Sequence, residues 1–258
     1  MEKKLFQVCV ISNNLDEYKA CQNSFYGAGF YEKSCLYTLY DNSKSNSHDP
    51  FKIIPCVVNA SDCKYVIVCH QDVRADRLDG FEHLAMRLAE LCRRDNTWAI
   101  AGNVGVTRHG YMVGRISDPI SRVDSSNLPR KVISLDENFL VFKARHPISC
   151  SLGLSGFHMY GADLCLNAME SGFSAYAIDF HVTHLSAGNP QSQEFLNAVQ
   201  AFKSAWNSRF VCGIVSTTCT EMYLSRWQIV RKLMEFPRTR RWLRRCGLNL
   251  TMMPFQRL

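Results

Sequence analysis

The sequence predicts an α/β fold, a mixed and mainly parallel central sheet flanked by helices. Three observations carry this. Residues 64–73 read Lys-Tyr-Val-Ile-Val-Cys-His-Gln-Asp-Val, an unbroken apolar run that stops at a polar triplet. A strand with one wet face alternates, whereas a strand covered on both faces is apolar throughout. Residues 5–11 (Leu-Phe-Gln-Val-Cys-Val-Ile) follow the same rule. Between such runs lie segments with helical spacing, as in Phe81, Leu84, Ala85, Leu88 and Leu91.

Taken in order, the first strand (5–11) is followed by a helix over 15–28 and a strand over 34–40. The polar residues 41–50 read as a loop near a ligand site. The strand at 64–69 leads to a helix at about 76–93 and a strand at 98–101 that ends in Gly-Asn-Val-Gly. Residues 107–133 are rich in Gly, Pro, Ser and charge and lack periodicity, which predicts a long binding loop. Leu135-Asp136-Glu137-Asn138-Phe139 runs into a further strand, and a helix over 161–171 stops at Gly172. After a strand at 175–180, Asn189-Pro190 starts a long helix with the stripe Phe195, Val199, Phe202 and Trp206. One or two helices are expected from about residue 221. No internal repeat or low-complexity tract is present.

Bulk properties narrow the function. The chain has 258 residues, 47% hydrophobic and 21% charged, enough for one large domain with an appendage and unlike a disordered chain. No run of 18 apolar residues exists, so no spanning helix is expected. The first residues lead straight into a core strand, so no secretory leader is expected either. The 12 cysteines are scattered, many in apolar segments, and none forms a Cys-x-x-Cys pair. Buried free thiols in a reducing cytoplasm fit better than a disulfide framework or structural zinc. Residues 231–258 hold eight Lys/Arg against one acid, Glu235, and so carry the whole net charge of +7. We therefore divide the chain into a catalytic domain, 1–210, and a basic, amphipathic, helical tail, 211–258. A basic helix bearing Trp and Leu suits an anionic membrane surface. With few stacking aromatics and no nucleic-acid module, nucleic-acid binding is not expected.

Open α/β sheets bind ligands at the carboxyl ends of their strands, which is where His70-Gln71-Asp72 stands. Asp41-Asn42-Ser43 ends the second strand, Phe157 to Leu164 (Phe-His-Met-Tyr-Gly-Ala-Asp-Leu) opens a helix, and His181-Val182-Thr183-His184 follows a short strand. In the order and spacing of these motifs, over roughly residues 5–210, the chain resembles the nucleotide-sugar glycosyltransferases of the GT-A fold, family 2 type. The resemblance implies a Rossmann-like GT-A fold and a bacterial setting in surface-polysaccharide synthesis. It also implies transfer of a sugar, with inversion, from a UDP- or dTDP-linked donor to a saccharide or lipid-linked glycan.

Site residues follow from it. Asn13 and Asp41 would hold the nucleoside, while His70, Gln71 and Asp72 stand at the family's metal-binding Asp-x-Asp, of which only the second acid is kept. That departure bears on metal dependence. Asp72 and His184 would bind Mn²⁺ or Mg²⁺, a Lewis acid for the departing diphosphate. His181, three residues from His184 on an extended segment, faces the other way. Asp163 occupies the general-base position, although a carboxylate in a first helical turn also serves the helix dipole. Asp136 and Glu137 read equally as a solvated pair and as the acids near the donor sugar. His158 and Tyr160 would line the acceptor site; Arg115 and Arg122 in the irregular segment are open to phosphate, though lone arginines in loops are usually solvated. Two other classes are a binding module that keeps the fold without turnover, and a nucleotidyltransferase, for which Asn13-Asn14-Leu15 is not the Gly-rich loop required. The setting implied is cytoplasmic, on the inner face of the membrane.

Overall fold

The computed structural model describes residues 3–236 and Thr239. The chain begins with β1 (Phe6–Ser12), α1 (Leu15–Gly27), β2 (Cys35–Asp41), α2 (Pro50–Ala60), β3 (Tyr65–His70) and a short β4 (Val73–Ala75). Next, α3 (Phe81–Arg94) leads to β5 (Trp98–Gly102). Short strands follow: β6 (Val104–Val106), β7 (Met112–Ser117), β8 (Arg122–Asp124), β9 (Arg130–Val132) and β10 (Ser134–Leu135). Then come β11 (Phe139–Lys143), α4 (Tyr160–Glu170), β12 (Ser174–Ala177), β13 (Val182–His184) and α5 (Gln193–Asn207). A hairpin, β14 (Gly213–Ser216) and β15 (Glu221–Leu224), precedes α6 (Gln228–Glu235).

The central sheet has seven strands in the order β2-β1-β3-β11-β5-β12-β9. β1 pairs parallel with β2 and β3, β11 runs antiparallel between β3 and β5, and β12 is parallel to β5. This is the mixed α/β sheet the sequence predicts. Side-chain parity explains the apolar runs. Phe6, Val8 and Val10 join Phe25 of α1 and Leu84 and Leu88 of α3 in one core. Cys9 and Ile11 join Ile54 and Val58 of α2 and Leu164 of α4 in another. Successive residues of a strand point to opposite faces, so a strand with helices on both sides has no polar face to show.

A second sheet, β10-β6-β7-β13-β4 with β8 on the edge of β7, stands beside the first. Two of its six strands, β7 and β8, come from residues 107–133, the segment expected to be an irregular loop, and a third strand of that segment, β9, edges the central sheet. The strands of the second sheet are two to six residues long, too short for a period to show. One helix is not expected from the sequence, and two other expectations change. α2 is hidden in an apolar stretch interrupted by Pro55, which reads as a breaker; here Asp49 caps it, accepting from the Phe51 amide at 2.9 Å, and Pro50 takes the first turn. α5 starts three residues later than Pro190 suggests, because the Ser192 hydroxyl accepts from the Phe195 amide at 3.2 Å. Residues 221–224 form a strand rather than a helix, and the β14–β15 hairpin shares a third core with α5 through Val215, Leu224, Phe202 and Trp206.

Arg115 of β7 does not meet phosphate. Its guanidinium bonds Asp79 at 2.5 Å, Asp179 at 2.8 Å and Asp124 at 3.3 Å, joining the small sheet to the approaches of α3 and β13, while Arg122 pairs with Asp124 at 3.2 Å. Among the described residues, no helix is long and apolar enough to cross a membrane. Most of the basic tail, Arg238 to Arg257, lies outside the described residues.

Candidate active site

A cleft of about 750 Å³ opens at the carboxyl ends of β1 and β3. One wall carries Ser12, Asn13, Asn42, His70, Gln71 and Asp72. Facing them are residues of the small sheet, Asp136, Glu137, Phe157, His158, and the segment from His184 to Pro190. The tip of the β14–β15 hairpin, Thr218 and Cys219, overhangs the same space. The cleft therefore draws on residues beyond 210, where the hairpin supplies part of the wall.

Three side chains converge at its floor. β13 pairs antiparallel with β4 so that His184 stands opposite Val73, and the Leu185 amide bonds the Asp72 carbonyl at 3.0 Å. This register brings His184 Nε2 to 3.3 Å from Asp72 Oδ1. His70 ends β3, its ring 6.0 Å from that of His184, and its Nε2 lies 2.8 Å from the Tyr160 hydroxyl. One ligand atom from each of His70, Asp72 and His184 lies within 4.8 Å of the others. Asp72 Oδ1 is buried and no well-aligned hydrogen bond reaches it. A buried carboxylate oxygen beside two imidazoles is a donor set suited to a divalent cation. Two nitrogens and one oxygen fit a divalent transition ion such as Mn²⁺ better than Mg²⁺, which prefers oxygen alone.

Burial and charge act against each other in this pair. Burial opposes the Asp72 carboxylate, yet the closeness of His184 outweighs burial and holds the carboxyl below its usual value. Burial likewise opposes an imidazolium at His184, and Asp72 more than offsets it, so His184 is raised. Burial dominates at His70 and lowers it.

Above the floor stand two acids. Asp136 accepts from the Asn138 amide and side chain at 3.1 and 2.6 Å and from the Thr218 hydroxyl at 2.5 Å. Glu137 Oε1 accepts from the Gly161 amide at 3.1 Å, in the first turn of α4. Just before that helix Met159 adopts φ +71°, a strained choice for a side chain with Cβ, of the kind that gathers at functional sites. Gly161 is required by proximity: a Cβ there would lie 2.3 Å from the Leu135 carbonyl and 3.3 Å from Glu137 Cγ. Burial, then the neighbouring Asp136 charge, push Glu137 up to about 8 against the backbone hydrogen bonds. The Tyr160 hydroxyl, which touches His70, also donates to the Glu137 carbonyl at 3.2 Å and so ties the acids to the floor.

No family model matches the sequence. The chain is 33% identical over 190 residues to the protein called ATP synthase subunits region ORF 6 of Fuscovulum blasticum, a match covering 70% of this chain and 75% of that protein. It belongs to the ORF 6 family. Among solved structures, residues 1–349 of S. aureus TarS, in complex with UDP-GlcNAc, superpose with a TM-score of 0.48 at 9% identity, over 79% of this chain and 67% of that one. The same protein in complex with UDP gives 0.44 at 9% identity, over 79% and 66%. A197 from STIV gives 0.39 at 12% identity, over 68% and 82%.

In this member of the ORF 6 family the cleft brings together Asn13, His70, Gln71, Asp72, Asp136, Glu137, His158 and His184. It excludes Asp163, the residue expected as general base. Asp163 is fully buried, Oδ2 accepting from the Ser151 amide and Oδ1 from the Trp206 indole, each at 2.8 Å. It fastens α4 to α5 and has no face toward a substrate. Tyr160 is also fully buried and acts from behind the wall, not on an acceptor. Gln71 lines the cleft, but its amide is committed. Oε1 accepts from Ser12 Oγ and the amides of Asn13 and Asn14, and Nε2 donates to Asn13 Oδ1, so it shapes the β1–α1 loop. Asp41 is outside the lining, its carboxylate turned back to the Ser43 amide at 2.8 Å, while the adjacent Asn42 faces in. His158 packs its ring 5.5 Å from Phe195, and burial lowers it. His181 lies apart from the cleft, against Asp76 and Ser117. Thr218 carries no signal in the sequence: it is 82 residues from Asp136, and only the folded hairpin joins them.

Proposed function

We propose that the chain is an inverting glycosyltransferase, taking a sugar from a UDP- or dTDP-linked donor and adding it to a saccharide or a lipid-linked glycan. One observation carries the reading. A half-buried two-imidazole, one-carboxylate cluster and a carboxylate raised to about 8 share one cleft at the carboxyl ends of a mixed sheet. The motif resemblance of the sequence agrees with it.

In this reading Asn13 and Asn42 border the nucleoside, and the diphosphate lies toward the floor. A divalent cation held by His70, Asp72 and His184 would supply Lewis-acid charge for the leaving diphosphate. Glu137, not Asp163, takes the proton from the acceptor hydroxyl. That oxygen attacks the anomeric carbon as the bond from that carbon to the phosphate oxygen breaks; the electron pair leaves with the diphosphate, and configuration inverts. Asp136, held by Asn138 and Thr218, borders the donor sugar. The setting proposed is the inner face of a bacterial membrane, in surface-polysaccharide synthesis.

The test is incubation of the protein with radiolabelled nucleotide sugars and Mn²⁺, scoring transfer and slow hydrolysis, beside Glu137→Gln. Turnover by the wild type and a loss of about a hundredfold or more in the variant support the reading. Donor binding with no turnover by either protein and any acceptor makes the chain a binding module. That alternative draws on the burial of Asp163.

A further inference from the structure

We infer that α6 is a membrane-docking helix that lies in the surface of an anionic bilayer. The inference stands apart from the reaction proposed above. α6 packs one side on the domain, where Met234 is 2% exposed and its sulfur meets Cys212 at 3.3 Å. Its outer side carries an apolar stripe beside the exposed Gln228, Lys232 and Glu235. Ile229 (71% exposed), Leu233 (51%) and Phe236 (61%) follow one another at i, i+4 and i+7 and form a single stripe along and just past the helix. Trp227, 45% exposed, precedes it, with the Arg226 guanidinium 4.5 Å over the indole. Isolated exposed apolar residues are ordinary; four together on one short segment are not.

Charge selects the partner. Lys232 is exposed beside the stripe, and the chain that continues from it carries Arg238, Arg240, Arg241, Arg244, Arg245 and Arg257 with no acid after Glu235. The partner must therefore offer an apolar interior beneath a negative surface. Nucleic acid offers the charge but no place for Ile229 and Leu233. A second copy of this chain offers the apolar face, but pairing would press two strongly positive segments together. An anionic bilayer supplies both, with Ile229, Leu233 and Phe236 among the acyl chains, Trp227 at the headgroup level and the cations on phosphate.

The experiment is flotation of the full chain with phosphatidylglycerol-containing vesicles and with phosphatidylcholine vesicles, at low and high salt. Circular dichroism and the thermal midpoint report the fold. We expect binding to the anionic vesicles only, weakened by salt. The double substitution Ile229→Ser and Leu233→Ser should lower partitioning by about tenfold or more without changing the melt. Lys232→Glu should lower it at low salt alone. Equal flotation of wild type and double variant, or equal binding to neutral vesicles, overturns the inference. So does a concentration-dependent dimer that the double substitution abolishes, which would make the stripe a contact between copies. Retention on a DNA column that ignores the double substitution, without vesicle binding, would assign the positive charge to nucleic acid instead.

Discussion

A side chain that must collect a proton from a sugar hydroxyl has to be ionised, within reach and out of bulk water. Glu137 meets the last two conditions through its seat against α4, and the first becomes a matter of pH. Because the folded protein holds its carboxyl at about 8, the active, charged form grows as pH rises through that value. The kcat/KM of the wild type should climb toward pH 8 and level off, and Glu137→Gln should lose about a hundred- to ten-thousandfold across the range. A profile that is flat from about pH 6 to 9 removes Glu137 from the role. Thr218→Val strips Asp136 of a hydroxyl donor and should cost about 1 kcal/mol of stability while raising the donor Kd, read by calorimetry. At the floor, Mn²⁺ should raise the thermal midpoint of the wild type and leave His184→Ala unmoved, a result that needs no activity. These residues are not equally legible in the sequence. Asp72 and His184 can be read because each follows a short apolar strand, where open sheets present their ligands. Asp163 cannot be placed, since an acid in a first helical turn has the same sequence whether it faces a cleft or bonds a buried indole.

Helices and strands differ in how plainly they announce themselves. β1, β3 and β11 are apolar on both faces because helices or sheet cover both, and the interior of a layered sheet is where a water-soluble chain places runs of that kind. β6 to β10 are too short to repeat a pattern: β6, β7 and β8 pair in local hairpins, whereas β9 pairs with β12 and β10 with β6 from farther along the chain. α2 shows the limit of punctuation: Pro55 does not end it, for the surrounding Phe51, Ile54, Val57 and Val58 bury enough surface to carry one missing hydrogen bond. The start of α4 is the most demanding element. With the Leu135 carbonyl where its Cβ would be, Gly161→Ala should destabilise the protein by about 1–3 kcal/mol. It should also lower activity beyond what the stability loss explains, because the Glu137 side chain lies against the same point. Denaturant melts paired with rates at a temperature where the variant is folded separate the two effects.

Across the whole molecule, two sheets and a hairpin meet at one cleft, and their joints are polar. The Arg115 network with Asp79, Asp124 and Asp179 ties the small sheet to the start of α3 and to the approach to β13, the strand that delivers His184. Arg115→Met leaves Asp79 buried without its cation. Allowing for the partial exposure of the guanidinium, the loss should be about 2 kcal/mol, visible as a lower thermal midpoint. Metal-induced stabilisation should weaken in parallel if β13 loses its register, whereas a direct role of Arg115 in phosphate binding would instead raise the donor Kd with the melt unchanged. None of these joints is readable from the sequence: Asp79 and Asp179 lie 36 and 64 positions from Arg115, and a lone arginine in a polar stretch carries no mark of its partners.

The exposed thiol of Cys219, overhanging the cleft from the hairpin tip, gives the protein a natural attachment point. With Cys56, the other exposed cysteine among the described residues, and Cys246, which lies outside them, replaced by serine, a maleimide-linked fluorophore on Cys219 would sit at the mouth of the cavity. Its emission would then report, in real time and without a radioactive sugar, when a molecule enters and when it departs.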